Sequence, residues 1–195
     1  MRGRRGATTP TDVQRATRRY LLYGLLPAWF VPGILDWAMH RRTRIEDTAG
    51  TRESLIHALM MGEVGAPIAA ALLLEINPPV LALMAGAAVA HEATAAWDVR
   101  TADGSPREVR PTEQLIHSFL ESLPFTALSV LACLHWDEVR ELFRGDDPGR
   151  WKLRRKDPPL PAGYLAGVGA AVTALIAVPY GEELLRCVRA GRRRR

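Results

Sequence analysis

Five long apolar segments recur along this chain, and they constrain its fold more than any other feature. They cover residues 20–38, 54–74, 79–97, 114–134 and 162–180. Each is close to the roughly 20 residues that an α-helix needs to cross a hydrocarbon core about 30 Å thick. The pattern predicts an all-α integral membrane helix bundle with about five transmembrane helices. The third and fifth segments are rich in alanine and glycine, so a soluble helical bundle is the alternative.

Polar and arginine-rich pieces flank these segments and predict the domain organisation. We expect a disordered basic tail over residues 1–19, a transmembrane domain over residues 20–185 and a basic tail over residues 186–195. The chain has 26 lysines and arginines against 21 acidic residues. Because the arginine clusters flank predicted spans, we interpret them as anchors to lipid headgroups and expect no nucleic-acid partner. The expected location is a bacterial inner membrane.

The last third of the chain holds two further features. Residues 136–144 have apolar side chains at helical spacing and predict a short amphipathic helix at the membrane interface. The fifth span is predicted to serve packing alone, because it has no polar side chain between Thr173 and Glu182. Cys133 and Cys187 are expected at opposite membrane faces, where they are too far apart to form a disulfide.

Four of the apolar segments carry an acidic residue and a histidine on one side of the predicted helix. Three pairs have i,i+4 spacing and one has i,i+7 spacing, so the members of each pair face the same way. The pairs are Asp36 with His40, Glu53 with His57, His91 with Asp98, and Glu113 with His117. They lie alternately at the end and the start of a segment, so up-and-down threading places all four in one layer. Short connections favour a cytoplasmic location for that face, although basic residues are nearly balanced between the two faces.

This layer predicts a metal site. Imidazole and carboxylate ligands without a thiolate suit iron, manganese or zinc. Eight such ligands exceed the four of a tetrahedral zinc ion, so we expect two metal ions, iron or alternatively zinc, in a four-helix metal-binding core. A single pair has an ordinary explanation, since a buried histidine is commonly a hydrogen-bonded core residue. A first-turn acid such as Glu53 or Glu113 also favours the positive end of its own helix.

Other polar residues are candidates for catalysis and substrate binding. Glu121 continues the stripe of Glu113 and His117 one turn deeper, and Glu63 is rotated away from His57, which predicts a place at a substrate cavity. Both are candidate catalytic residues. Three arginines between the third and fourth spans are candidate ligands of an anionic headgroup, with a topological role as the alternative; they are Arg100, Arg107 and Arg110.

The favoured function is a non-haem di-iron oxidoreductase that hydroxylates or desaturates a lipid or another apolar molecule. The chain has no flavin, nicotinamide or haem signature, so the reducing equivalents are expected from a separate electron-donor protein. The Glu-x-x-His signature of ferritin-like di-iron bundles is absent.

Three alternatives stay open. A zinc-dependent hydrolase of a lipid ester or amide would use Ser118 or Ser122 beside the metal. A metal-ion carrier or sensor ranks third, because transporters usually place their site near the midplane. The last alternative is a structural membrane protein without chemistry, which ionisable residues inside spans disfavour.

Overall fold

The computed structural model describes residues 11–103 and 110–194, and this part of the chain is helical without a β-strand. We number its six helices α1 to α6. Their bounds are Asp12–Thr43, Gly50–Leu73, Pro78–Asp103, Pro111–Leu134, Trp136–Arg144 and Ala162–Arg193. Short π-helical segments interrupt α1 at Leu21–Leu25 and α6 at Thr173–Ala177. The predicted all-α class and the short helix over residues 136–144 are confirmed.

All helices except α5 are long and apolar enough to cross a membrane. Their apolar side chains point outward, and the exposure of so much apolar surface to water would be unfavourable. Leu55 on α2 is 53 % exposed, and Phe119 on α4 is 56 % exposed. A soluble bundle would bury such side chains, whereas a membrane helix presents them to lipid. The chain is therefore a membrane-integral helical bundle.

The start of α1 differs from the sequence-based expectation. Residues 12–19 were expected in a disordered tail, but they form the first turns of α1. A capping box explains the difference: the Thr11 hydroxyl accepts a hydrogen bond from the Gln14 amide, and the Gln14 side chain accepts one from the Thr11 amide. The part of the expected tail over residues 1–10 lies outside the described residues.

The helices thread up and down. α2 packs along α3, α1 packs along α4, and the second half of α6 lies against both α1 and α2. The ends of α1, α3 and α6 therefore meet the starts of α2 and α4 at one end of the bundle, which we call the polar end. Tyr180 of α6 fixes this arrangement, since its hydroxyl lies within hydrogen-bond distance of two acceptors on α1, the Gly33 carbonyl and Asp36.

At the opposite end, which we call the loop end, the segment after α5 folds back over the junction of α2 and α3. The Glu75 amide donates to the Arg154 carbonyl, and the Lys156 amide donates to the Leu73 carbonyl. Beneath this segment lies an apolar cluster of Ile76, Val80, Leu81 and Met84, against which Val139 of α5 packs. The loop end is thus held by main-chain hydrogen bonds and apolar packing.

Candidate metal centre

The polar end brings together most of the predicted ligands. His57 Nε2 of α2 lies 3.3 Å from Asp98 Oδ1 of α3. His40 Nε2 lies 3.5 Å from Asp36 Oδ1 on the same helix and 3.7 Å from Glu113 Oε1 of α4. Four helices therefore contribute to one buried cluster, because the end-and-start alternation of the pairs places them at the same depth.

The donor atoms of this cluster form two groups that have no residue in common. One consists of His40, Glu113 and His117, and the other of Glu53, His57 and Asp98; the donor atoms in each lie within 4.8 Å of one another. A third group of the same kind, Asp36 with His40 and His57, connects the two. Two ligands at about 2.0–2.2 Å from one ion are at most about 4.4 Å apart. The separations of 3.3–3.7 Å given above lie within that limit.

Glu183 of α6 belongs to this cluster, and the sequence analysis missed it. Its Oε2 lies 3.0 Å from His40 Nδ1, and its Oε1 lies 3.2 Å from His57 Nδ1. The two imidazole rings are stacked with centroids 4.5 Å apart and an angle of 4° between their planes. One fully buried carboxylate thus holds both rings parallel.

This bridge has a consequence for the protonation of the rings. If each Nδ1–H donates to Glu183, each Nε2 atom carries a lone pair that faces the neighbouring carboxylates. The Nε2 atom and the carboxylate oxygens are then all hydrogen-bond acceptors. His40 Nε2 has no hydrogen-bond partner among the described residues. A carboxylate that accepts from the second nitrogen is the common way in which proteins orient a metal-binding histidine. A lone pair that faces carboxylate oxygens fits a cation between them.

Asp36 lies between the two groups. Its Oδ1 is 2.8 Å from His117 Nε2, and its Oδ2 accepts a hydrogen bond of 2.9 Å from the Tyr180 hydroxyl. Both contacts orient the carboxylate toward the histidines of the first two helices. His117 is the least buried of the three clustered histidines, with 21 % of its side chain exposed.

Five carboxylates are buried in the cluster, with at most 4 % of each residue exposed: Asp36, Glu53, Asp98, Glu113 and Glu183. Three histidines accompany them, and carboxylate oxygens and imidazole nitrogens are the donors that iron, manganese and zinc accept. The donor set therefore fits bound divalent cations.

His91 lies elsewhere, away from the other three histidines. Its Nδ1 is 3.6 Å from Glu63 Oε2, and Thr94 Oγ1 donates a 2.8 Å hydrogen bond to Glu63 Oε1. The reason is its spacing: seven residues along α3 separate His91 from Asp98 by about 10 Å. The i,i+7 pair shares one side of the helix but spans two depths. Glu63, a candidate catalytic residue, contacts His91 and so lies apart from the cluster at the polar end.

The remaining candidates lie at the edge of the cluster. Glu121 is half-buried and lines a cavity of about 20 Å³ with His57, Asp98 and His117. Arg100 and Arg110 are exposed at the end of α3 and just before α4, and Arg107 lies outside the described residues.

The two serines of the hydrolase alternative make hydrogen bonds within their own helix. Ser118 Oγ donates to the Gln114 carbonyl and Ser122 Oγ donates to the Phe119 carbonyl, and both residues are exposed. Each hydroxyl thus bonds to the backbone of its own helix.

No protein family, curated protein or solved structure matches this chain. The assignment of a function consequently depends on the geometry of the cluster.

His135, the fifth histidine, lies at the loop end between α4 and α5, where it is half-buried. Burial, together with the positive charges of Arg18 and Lys156, lowers the pKa of its imidazole to about 4. It is therefore neutral at physiological pH and shares no contact with the cluster at the polar end.

Proposed function

We propose that this chain is a membrane-embedded oxidoreductase with two metal ions, iron in preference to zinc, that acts on a lipid or another apolar molecule. The observation that carries this proposal is the pair of three-residue donor groups without a common member, connected through Asp36. A single-ion site would need only one of them.

The donor groups divide the ligands between two positions. His40, Glu113 and His117 would hold one ion, and Glu53, His57 and Asp98 the other, with Asp36 placed to bridge them. Mixed nitrogen and oxygen ligands suit iron. A bound iron pair would supply the electron transfers that activate O2 for attack on an unactivated C–H bond.

The surrounding residues support this chemistry in different ways. In this proposal Glu183 accepts the Nδ1 protons of His40 and His57, which would leave both Nε2 atoms as metal ligands. Tyr180 donates to Asp36 and fixes the orientation of the bridging carboxylate.

The small cavity beside the ligands has room for about one water molecule, so in this proposal only the reacting end of a substrate would approach it. Met60, Met61 and Leu120 form its apolar wall, which suits the end of an apolar chain. Glu121, at the edge of the same cavity, is placed to accept or return a proton during turnover. In this proposal Arg100, Arg107 and Arg110 attract an anionic headgroup to the membrane face nearby.

The zinc hydrolase is the second candidate, and the acidic donor set weakens it. Five carboxylates exceed the needs of one zinc ion, and Ser118 and Ser122 bond to their own helices. A metal carrier is less favoured, because the donor groups lie at one end of the bundle.

The test is the metal content of the detergent-purified protein, measured by elemental mass spectrometry. About two irons per chain are expected from the two donor groups. His57→Ala and His117→Ala should each remove metal, whereas His135→Ala at the loop end should keep it. If His135→Ala removes as much metal as the other two, the proposed centre is wrong. Two irons would justify analysis of lipid products formed under O2, and one zinc would redirect the search to hydrolysis.

A further inference from the structure

A second buried polar group lies in the middle of the bundle, about 10 Å deeper than the candidate metal centre. It consists of Glu63 on α2 with His91 and Thr94 on α3. His91 is 2 % exposed, and neither of its ring nitrogens makes a hydrogen bond among the described residues. Glu63 Oε2 likewise has no hydrogen-bond partner there. Ionisable side chains at this depth are costly and usually functional.

These side chains face a space that continues toward the loop end. Glu63 and His91 line a cavity of about 30 Å³, which is large enough for one or two water molecules. Next to it lies a groove of about 600 Å³, lined by apolar side chains beside the cavity and by charged ones such as Arg18, Glu138 and Lys156 at the loop end. Four residues line both spaces and form the wall between them: Trp29, Ile68, Met84 and Ala127. The groove is therefore separated from His91 and Glu63 by one layer of side chains.

The geometry points to a binding site for a membrane quinol, with its tail in the groove and its ring against Trp29 and Met84. In this site a ring hydroxyl faces the small cavity, directly or through one water molecule. Glu63 or His91 accepts the proton of this hydroxyl, and the proton of the opposite hydroxyl leaves through the groove. This inference rests on the proposed function, because the electrons of the quinol need the metal pair as their acceptor.

The chemistry of the site favours a quinol over other amphiphiles. The apolar part of the groove suits a hydrocarbon tail, and the depth of the site favours an uncharged polar head. The carboxylate of a fatty acid would face Glu63 and would repel it. A quinol head is uncharged and donates hydrogen bonds, and the hydroxyl that faces the small cavity can find an acceptor in Glu63 or in a ring nitrogen of His91.

The proposed step is balanced in electrons and protons. Oxidation of one quinol to the quinone breaks two O–H bonds and releases two protons and two electrons. One proton goes to the pair of Glu63 and His91 and the other to water at the loop end of the groove, and the two electrons would reduce the two ferric ions of the proposed centre. For a hydroxylation the sum is substrate, O2 and quinol going to hydroxylated substrate, water and quinone. The quinol thus replaces the separate electron-donor protein expected from the sequence.

Binding can be measured without turnover. A decyl-tailed benzoquinone should quench the fluorescence of Trp29, and the quenching component should disappear in Trp29→Phe. Ala127→Phe fills the groove and should weaken binding about tenfold, which corresponds to 1.4 kcal/mol. The matched control is Ala166→Phe on the exposed side of α6. It should bind like the wild type, and equal binding by Ala127→Phe would overturn the inference.

The redox step gives a second readout. Under anaerobic conditions the decyl-tailed quinol should bleach the ferric absorption and yield one quinone per two irons. Glu63→Gln and His91→Asn should slow this bleaching about 100-fold, as expected for loss of a proton acceptor, with iron content unchanged. Bleaching by dithionite should be equal in all variants.

The outcomes separate the two proposals. Iron without quinone binding overturns the quinol site and leaves the oxidoreductase standing. Quinone binding without iron overturns the di-iron proposal and the electron transfer inferred here, and leaves only a quinone-binding site.

Discussion

The two ends of this bundle are built on opposite principles. At the loop end, Ile76, Val80 and Leu81 pack together, and main-chain hydrogen bonds tie the connecting segment to α2 and α3. At the polar end, buried carboxylates and imidazoles lie between the helices, together with buried apolar side chains such as Ile56 and Ile116. The first end is held by apolar packing and main-chain hydrogen bonds, whereas the second concentrates donor groups that would bind the proposed metal ions. If ions complete the polar end, the two ends should respond differently to metal.

Removal of metal should therefore have the largest effect, and only through the polar end. An ion at 1,000 times its Kd stabilises the folded state by about 4 kcal/mol. We expect a chelator to lower the melting temperature of the detergent-purified wild type and added iron to restore it. His57→Ala should show neither response. If His57→Ala fails to fold, His117→Gln tests the same expectation at a histidine that is less buried. A wild type insensitive to the chelator would contradict the comparison.

A cavity at the loop end should destabilise the bundle without affecting metal. Leu81 is 3 % exposed in the apolar cluster, so Leu81→Ala should cost about 2–3 kcal/mol through lost packing. Iron content should stay at the wild-type value. Leu83→Ala, two residues away at a side chain that is 45 % exposed, is the matched control and should change the stability little. Loss of iron in Leu81→Ala would mean that the two ends are coupled.

Glu183→Gln tests whether the bridging carboxylate of the polar end supports metal binding. The glutamine keeps the size of the side chain but cannot accept from both Nδ1–H groups with two equivalent oxygens. Changes to such partners of metal ligands typically weaken metal affinity by about 10–100-fold. We expect a decrease in metal affinity of this size for Glu183→Gln, measured by competitive titration with a chelator of known affinity. Glu182→Gln is the neighbouring control, because Glu182 contacts Trp37 and Arg41 instead. Equal effects of the two changes would reject the bridging role of Glu183.

The sequence predicts the helices of this chain well, because spans depend on length and hydropathy alone. It also predicts three of the acid–histidine pairs, since i,i+4 spacing places both members at nearly one depth. His91 and Asp98 show the limit of that argument. The prediction that they share one side of the helix is correct, but seven residues separate them by about 10 Å along its axis. The partner of His91 is instead Glu63 on another helix.

Glu183 was missed for a related reason. The sequence pattern pairs an acid with a histidine on the same helix, whereas the partners of Glu183 come from α1 and α2. A usable signal was present, because Glu182 and Glu183 follow the fifth apolar segment at the face where the pairs were expected. The start of α1 was missed because the capping box of Thr11 and Gln14 is local and independent of hydropathy.

The smallest expected effect concerns pH at the loop end. Since the pKa of His135 is about 4 in the fold and about 6.5 in the unfolded chain, the unfolded chain binds its proton first as the pH falls. Stability should be nearly constant above about pH 7.5, decrease by about 1 kcal/mol between pH 7 and 5.5, and stop changing through this group only well below pH 4. His135→Gln should flatten this part of the profile, measured by denaturation of the metal-free protein so that ligand protonation at the polar end is separate. An unchanged slope in His135→Gln would show that the acid sensitivity of the bundle comes from the carboxylates and histidines of the other end.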